Sequence, residues 1–149
     1  MSQSLICVDA NVVLWSLVPS PLSDKAEKLL EETLANQVTI VAPTLLAYEV
    51  TSVLRRLVHL RALTLGEGEE AFETFSRIPI RLSHRKGVIP LSWRLAKQLN
   101  RPRAYDTSYL AVAQIYGCEL WTADEKLYNA VRHRLSWTKW LGDYATSPT

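Results

Sequence analysis

Leu5-Ile6-Cys7-Val8-Asp9-Ala10-Asn11 is the stretch whose reading decides the fold. Four apolar residues in a row, two of them β-branched, read as a short strand buried on both faces, as in a parallel sheet. A carboxylate and an amide follow at the point where that strand emerges. In open α/β sheets the ligand crevice lies at the carboxyl ends of the strands, which puts Asp9 where chemistry is usually done. Asp is also a preferred N-cap, so Asp9 suits the start of the following helix equally well. Both readings stay open on this stretch alone.

Outward from this strand, Ala10 to Val18 reads as a short helical turn ended by Pro19-Ser20-Pro21. Ser23 is expected to cap an amphipathic helix over Asp24 to Asn36, with Ala26, Leu29, Leu30 and Leu34 on its apolar face. Val38 to Ala42 is a second buried strand, closed by Pro43. Thr44 is expected to cap a long helix running to about Leu63. Gly66 to Ile78 is a further helix whose acidic start suits a helix N-terminus. Ile80-Arg81-Leu82 is a third strand, followed by a basic loop from Ser83 to Gly87. Helices are predicted over Ile89 to Leu99 and Ala104 to Tyr116, the second stopped by Gly117. Cys118 to Ala123 is a fourth strand, Asp124 opens another helix, and Ser136 to Leu141 is a fifth, edge strand. The tail from Gly142 to Thr149 is expected to fray. Strands separated throughout by helices predict a three-layer α/β/α sandwich with an about five-stranded, mainly parallel central sheet. One domain is expected to span residues 1–149.

A chain of 149 residues, 48% hydrophobic and 21% charged, can bury a sizeable core and has the composition of an ordinary globular protein. No linker, repeat or low-complexity run interrupts it. The N-terminus lacks the basic region of a signal peptide, and the apolar run from Leu5 to Val18 is too short and too polar to cross a membrane. Cys7 and Cys118 do not suggest a disulfide framework, so both are read as reduced and the protein as cytoplasmic. Lys and Arg number 17 against 15 Asp and Glu. If Asp9, Glu49, Asp106 and Asp124 share one pocket, the rest of the chain is distinctly basic. An acidic pocket in a basic surround suits a polyanion held over bound metal.

Each of those four acids has a simpler explanation to set beside the chemical one. Glu49 has Leu45, Leu46, Ser52 and Val53 as its helical neighbours, so it points toward the core side. A buried carboxylate needs compensation, from a salt bridge or from a metal ion. Asp106 lies in the first turn of its helix, where capping or the helix dipole would explain it. Thr122 and Glu125 have the spacing of a capping box, which would leave Asp124 free for another role. Four carboxylates that converge repel one another unless cations sit among them. Oxygen ligands with no clustered Cys or His select Mg²⁺ or Mn²⁺, and His59, His84 and His133 are too dispersed for a zinc site. Such a centre suits phosphoryl chemistry. Arg85, Lys86, Arg101 and Arg103 are candidate phosphate contacts.

Val8-Asp9-Ala10-Asn11, Pro43-Thr44-Leu45-Leu46-Ala47-Tyr48-Glu49-Val50, Tyr105-Asp106-Thr107-Ser108-Tyr109-Leu110-Ala111-Val112-Ala113 and Leu120-Trp121-Thr122-Ala123-Asp124-Glu125-Lys126-Leu127 follow one another in a distinctive order. With this spacing, over nearly the whole chain, they resemble the PIN-domain ribonucleases and among them the small VapC-type toxins. The resemblance implies that Asp9, Glu49, Asp106 and Asp124 form an acidic quartet binding one or two Mg²⁺ or Mn²⁺ ions. It implies that Asn11 and Thr122 support the quartet by hydrogen bonds. It further implies endonucleolytic cleavage of RNA, a homodimer, and neutralisation by a small antitoxin. Two places depart from the family pattern. Trp121 stands where a smaller apolar residue is commoner, and Tyr128 and Asn129 stand where some members carry a further acid. A phosphatase of the haloacid dehalogenase type also begins with a strand ending in Asp, but it wants a second Asp two residues on, where this chain has Asn11. A catalytically silent RNA- or partner-binding module would keep the same acids as a structural pocket.

Overall fold

A computed structural model describes residues 4–145. The elements follow one another as β1 (Leu5–Val8), α1 (Ala10–Leu17), α2 (Ser23–Ala35), β2 (Thr39–Pro43), α3 (Leu45–His59), α4 (Leu65–Arg77), β3 (Ile80–Ser83), α5 (Val88–Gln98), α6 (Tyr105–Tyr116), β4 (Glu119–Thr122), α7 (Glu125–Val131) and β5 (Thr138–Trp140). A 3₁₀ turn over Leu141–Asp143 ends the series. The five strands lie in the order β3-β2-β1-β4-β5. Every pairing is parallel, with Cys7 opposite Val41 on one side and Leu120 on the other.

This order follows from the sequence patterns. β1 is apolar throughout because it is the central strand, with helices over both faces. Helices α1 to α4 pack against one another, α5 packs against α6, and α6 lies across β1, β2 and β4. Val8, Val12, Val13, Ile40, Leu46, Val50, Leu110, Val112 and Leu120 are fully buried between them. From β1 the chain builds outward through β2 and β3, then returns to build β4 and β5 on the other side. The reversal creates a switch point between β1 and β4, where the loops after the two strands part and leave a crevice. Asp9 follows β1 and Asp124 lies just beyond β4, so both stand at that crevice.

Several local expectations are corrected. Ser23 is the first residue of α2 and not its cap. Its Oγ accepts from the Ser20 N–H at 2.8 Å and donates to the Val18 carbonyl at 2.9 Å, bracing the Pro19–Pro21 turn instead. Thr44 precedes α3 but makes no side-chain capping bond. That helix ends at His59, short of Leu63, because Arg61 takes a left-handed φ of 62°. Gly117 ends α6 as expected, at φ 65°.

The fraying expected from Gly142 does not describe the residues up to Tyr144. Leu141 is fully buried. The Tyr144 ring meets Trp121 edge-on at 5.2 Å, and its hydroxyl donates to Glu32 Oε2 at 2.8 Å. Lys25 Nζ donates to the Gly142 carbonyl. The large Trp121 side chain gives this segment an aromatic surface to close on, which a smaller residue would not. The remainder of the expected tail, residues 146–149, lies outside the described residues. Among the described residues, no helix is long and apolar enough to cross a membrane.

Candidate active site

Asp9 is the centre of a short hydrogen-bond network. Its backbone N–H donates to the Trp121 carbonyl at 3.2 Å, which carries the β1–β4 pairing one residue past the strand. Its Oδ1 accepts from the Val12 N–H at 3.1 Å and so caps α1. Its Oδ2 accepts from the Thr122 hydroxyl at 2.5 Å, and the Ala123 N–H lies 3.3 to 3.4 Å from the two oxygens. The capping role left open by the sequence therefore belongs to Asp9, and its second oxygen is met by Thr122. Asp9 is only 8% exposed. Burial raises its pKa to about 6, and the nearby Asp124 charge adds to the rise, while the bonds from Thr122, Val12 and Ala123 oppose it.

Thr122 links Asp9 to Asp124. It is fully buried at the end of β4, donates to Asp9, and accepts from the Asp124 N–H at 3.0 Å. This corrects the expected capping box, because the Thr122 hydroxyl is taken up by Asp9 and not by the helix. Asp124 is the N-cap of α7, its Oδ1 accepting from the Leu127 N–H at 3.1 Å. Asp124 is thus not spare as a cap, but capping occupies one of its oxygens only.

Glu49 lies on α3 at the level of the crevice, half-buried. Among the described residues it has no salt-bridge partner, one of the two compensations expected for it. Its Oε1 accepts from the Tyr109 hydroxyl at 2.6 Å. Burial first, then the bond to Glu49 and the Glu49 and Asp9 charges, push the Tyr109 phenol far up, so it stays a proton donor. Tyr109 was not legible as a site residue, since a Tyr inside an Ala-, Leu- and Val-rich helix reads as core. The available signal was its spacing, one helical step beyond Asp106.

Asp106 opens α6 without capping it. Its Oδ2 pairs with Arg101 at 3.2 Å, in a bridge whose side chains are 47% and 25% exposed. Arg101 is therefore engaged with an acid of the candidate quartet. Arg103 is exposed on a groove beside Tyr105, Trp93 and Thr44. Lys86 is exposed with no partner among the described residues. Arg85 stacks over the Tyr116 ring at 5.3 Å, at the opposite end of α6 from Asp106. At helical rise that is about 15 Å away. Asn11 is exposed and its side chain makes no hydrogen bond among the described residues, whereas the Thr122 hydroxyl donates to Asp9.

Among the described residues, no three acidic, His or Cys side chains stand close enough to form a ready-made metal cage. Two pairs are brought together instead. Thr122 bridges the Asp9 carboxylate and the Asp124 backbone N–H, and Tyr109 meets the Glu49 carboxylate. The donor set nonetheless fits a hard divalent cation. Among the described residues, Asp9, Glu49 and Asp124 have no cationic partner. Glu49 Oε2, Asp106 Oδ1 and Asp124 Oδ2 accept no hydrogen bond there either, so each acid keeps one oxygen free.

The PIN domain family matches residues 6–132, a span that contains all four acids. The chain is similar to a VapC ribonuclease of Mycobacterium bovis, 32% identical over 124 residues, covering 83% of this chain and 88% of the relative. It is equally similar to Ribonuclease VapC9 of Mycobacterium tuberculosis, over the same shares of each chain. The extent of the family match and the coverage of these relatives lead to one assignment: the chain belongs to the PIN domain family.

Proposed function

We propose that this protein is a metal-dependent endoribonuclease, acting in the cytoplasm as the toxin of a toxin–antitoxin pair. The observation that carries the reading is Asp9, a buried carboxylate with no cationic partner among the described residues, beside acids that each keep a free oxygen. The similarity to VapC ribonucleases supports RNA as the substrate.

Asp9, Asp106 and Asp124 would hold one or two Mg²⁺ or Mn²⁺ ions, and Glu49 would hold metal or position the water. Such an ion supplies polarisation of the scissile phosphate and an activated water nucleophile. The chain's own residues do the rest. Thr122 and the Val12 and Ala123 N–H groups hold Asp9 in one orientation. Capping holds Asp124, and Tyr109 holds Glu49. Arg103 and Lys86, both exposed, are the free cations for RNA phosphates, and Arg101 joins them where it leaves Asp106. Arg85 is retained only as a distant phosphate contact, given its place over Tyr116.

The partners proposed are a second copy of the chain and a small antitoxin. Ile89, Trp93 and Tyr105 are 80%, 68% and 59% exposed along the groove that Arg103 and Thr44 also line, an apolar surface of the kind that subunit contact covers.

The test is incubation with a mixed RNA pool, in Mg²⁺ or Mn²⁺ and then in EDTA, beside Asp124→Ala. Cleavage by the wild type alone, stopped by EDTA, is the expected result. Equal cleavage by the variant would mean that the site is wrong.

A further inference from the structure

We infer that Tyr109 is a positioning residue for the acidic site: its hydroxyl occupies Glu49 Oε1, so that Glu49 meets a divalent cation through Oε2 alone. The inference rests on the metal-dependent reading above and adds a residue and a binding mode to it.

Three observations carry it. Tyr109 is 3% exposed, and its hydroxyl donates to Glu49 Oε1 at 2.6 Å, its one hydrogen bond from the side chain. A glutamate on a half-exposed helix face has several rotatable bonds, and an unheld carboxylate samples many orientations. Pinning one oxygen removes most of that freedom and leaves the other at a defined place. Secondly, Tyr109 is itself rigidly seated. Leu110, Ala111, Val112 and Ala113 beside it on α6 are all fully buried, and the Tyr109 carbonyl accepts from the Cys7 thiol at 3.7 Å, two residues before Asp9. The phenol thus transmits the position of the central strand to a carboxylate on α3. Thirdly, Tyr109 and Asp106 are three apart on α6, so one helix presents both an acid of the site and the group that orients another.

A buried phenol that needed only an acceptor for its own proton would give the same hydrogen bond. The two roles separate on metal affinity. Tyr109→Phe keeps the ring and removes the donor. Mn²⁺ binding, measured without RNA by calorimetry or by the paramagnetic resonance of free Mn²⁺, should weaken about tenfold, the usual loss when the partner of a metal ligand is removed. In a Glu49→Gln background the same change should alter Mn²⁺ affinity by less than about twofold, because the route through Glu49 is already gone. Tyr109→Phe that binds Mn²⁺ as the wild type does would overturn the inference and leave the metal reading standing. So would a loss of equal size in both backgrounds, which would mean that Tyr109 acts on the fold and not on Glu49. A wild-type protein that binds no Mn²⁺ would overturn both. Should Tyr109→Phe fail to fold, Glu49→Asp serves in its place: it draws the carboxylate back from an intact Tyr109. It should weaken Mn²⁺ binding to a similar degree, and unchanged binding would count against the inference.

Discussion

Asp9 gains a proton more readily in the folded chain than in the unfolded one. Its ordinary value is 3.8 and burial, with Asp124, raises it to about 6. The folded state therefore binds the proton more tightly, and rising pH favours unfolding between those two values. Below the ordinary value the penalty is absent; above pH 6 it is fully developed, at about 3 kcal/mol. Asp9→Asn removes the titration. In EDTA, the stability difference between variant and wild type should shift toward the variant by about 2.5 kcal/mol between pH 4 and pH 7, read from urea unfolding. A difference that stays flat over that range would show that Asp9 carries no such penalty. A cation at the site would relieve the same penalty, which ties stability to function at one residue. Asp9 was legible because the end of an apolar strand is visible in the sequence. Its hydrogen bonds were not, since Thr122 is 113 positions away and reaches Asp9 only once β1 and β4 pair.

The helices show how one local pattern can have two outcomes. Thr64 and Glu67 form a capping box at the start of α4: the Glu67 N–H donates to Thr64 Oγ1 at 3.1 Å, and the Thr64 N–H to Glu67 Oε1 at 2.9 Å. Thr122 and Glu125 have the same spacing and form no box, because the Thr122 hydroxyl faces a buried carboxylate. A propensity rule sees the spacing, while tertiary contact decides which acceptor the hydroxyl finds. Thr64→Ala should therefore cost about 1 kcal/mol in thermal or urea unfolding and leave Mn²⁺ affinity unchanged. A change in Mn²⁺ affinity would mean that α4 is coupled to the crevice through α1 or α3, against which it packs. The strands were easier to read. β1 has the bounds its apolar run predicts, Leu5–Val8, while each bound of β2 and β4 shifts by one residue between pattern and structure.

At the scale of the whole molecule, the sheet order explains why Asp9 and Asp124, 115 positions apart in the sequence, stand at one crevice. With β1 central and β4 beside it, the loops after both strands open at the switch point, while α6 meets α3 where the Tyr109 hydroxyl donates to Glu49. Alternation of strands and helices made the layered architecture legible. Two features were not. The pairing of Asp106 with Arg101 depends on a loop of no regular pattern. The seating of Tyr144 on Trp121 depends on residues that look like a polar tail. In the proposed function, the carboxylates of the site bind a divalent cation and RNA cleavage depends on that binding. The most direct measurement is the rate of RNA cleavage as a function of Mn²⁺ concentration, for the wild type and for Asp9→Asn. The rate should rise and saturate over the same Mn²⁺ range that raises the wild-type melting temperature, and Asp9→Asn should stay flat. Cleavage that persists in EDTA, or that Asp9→Asn supports as well as the wild type, would contradict the account.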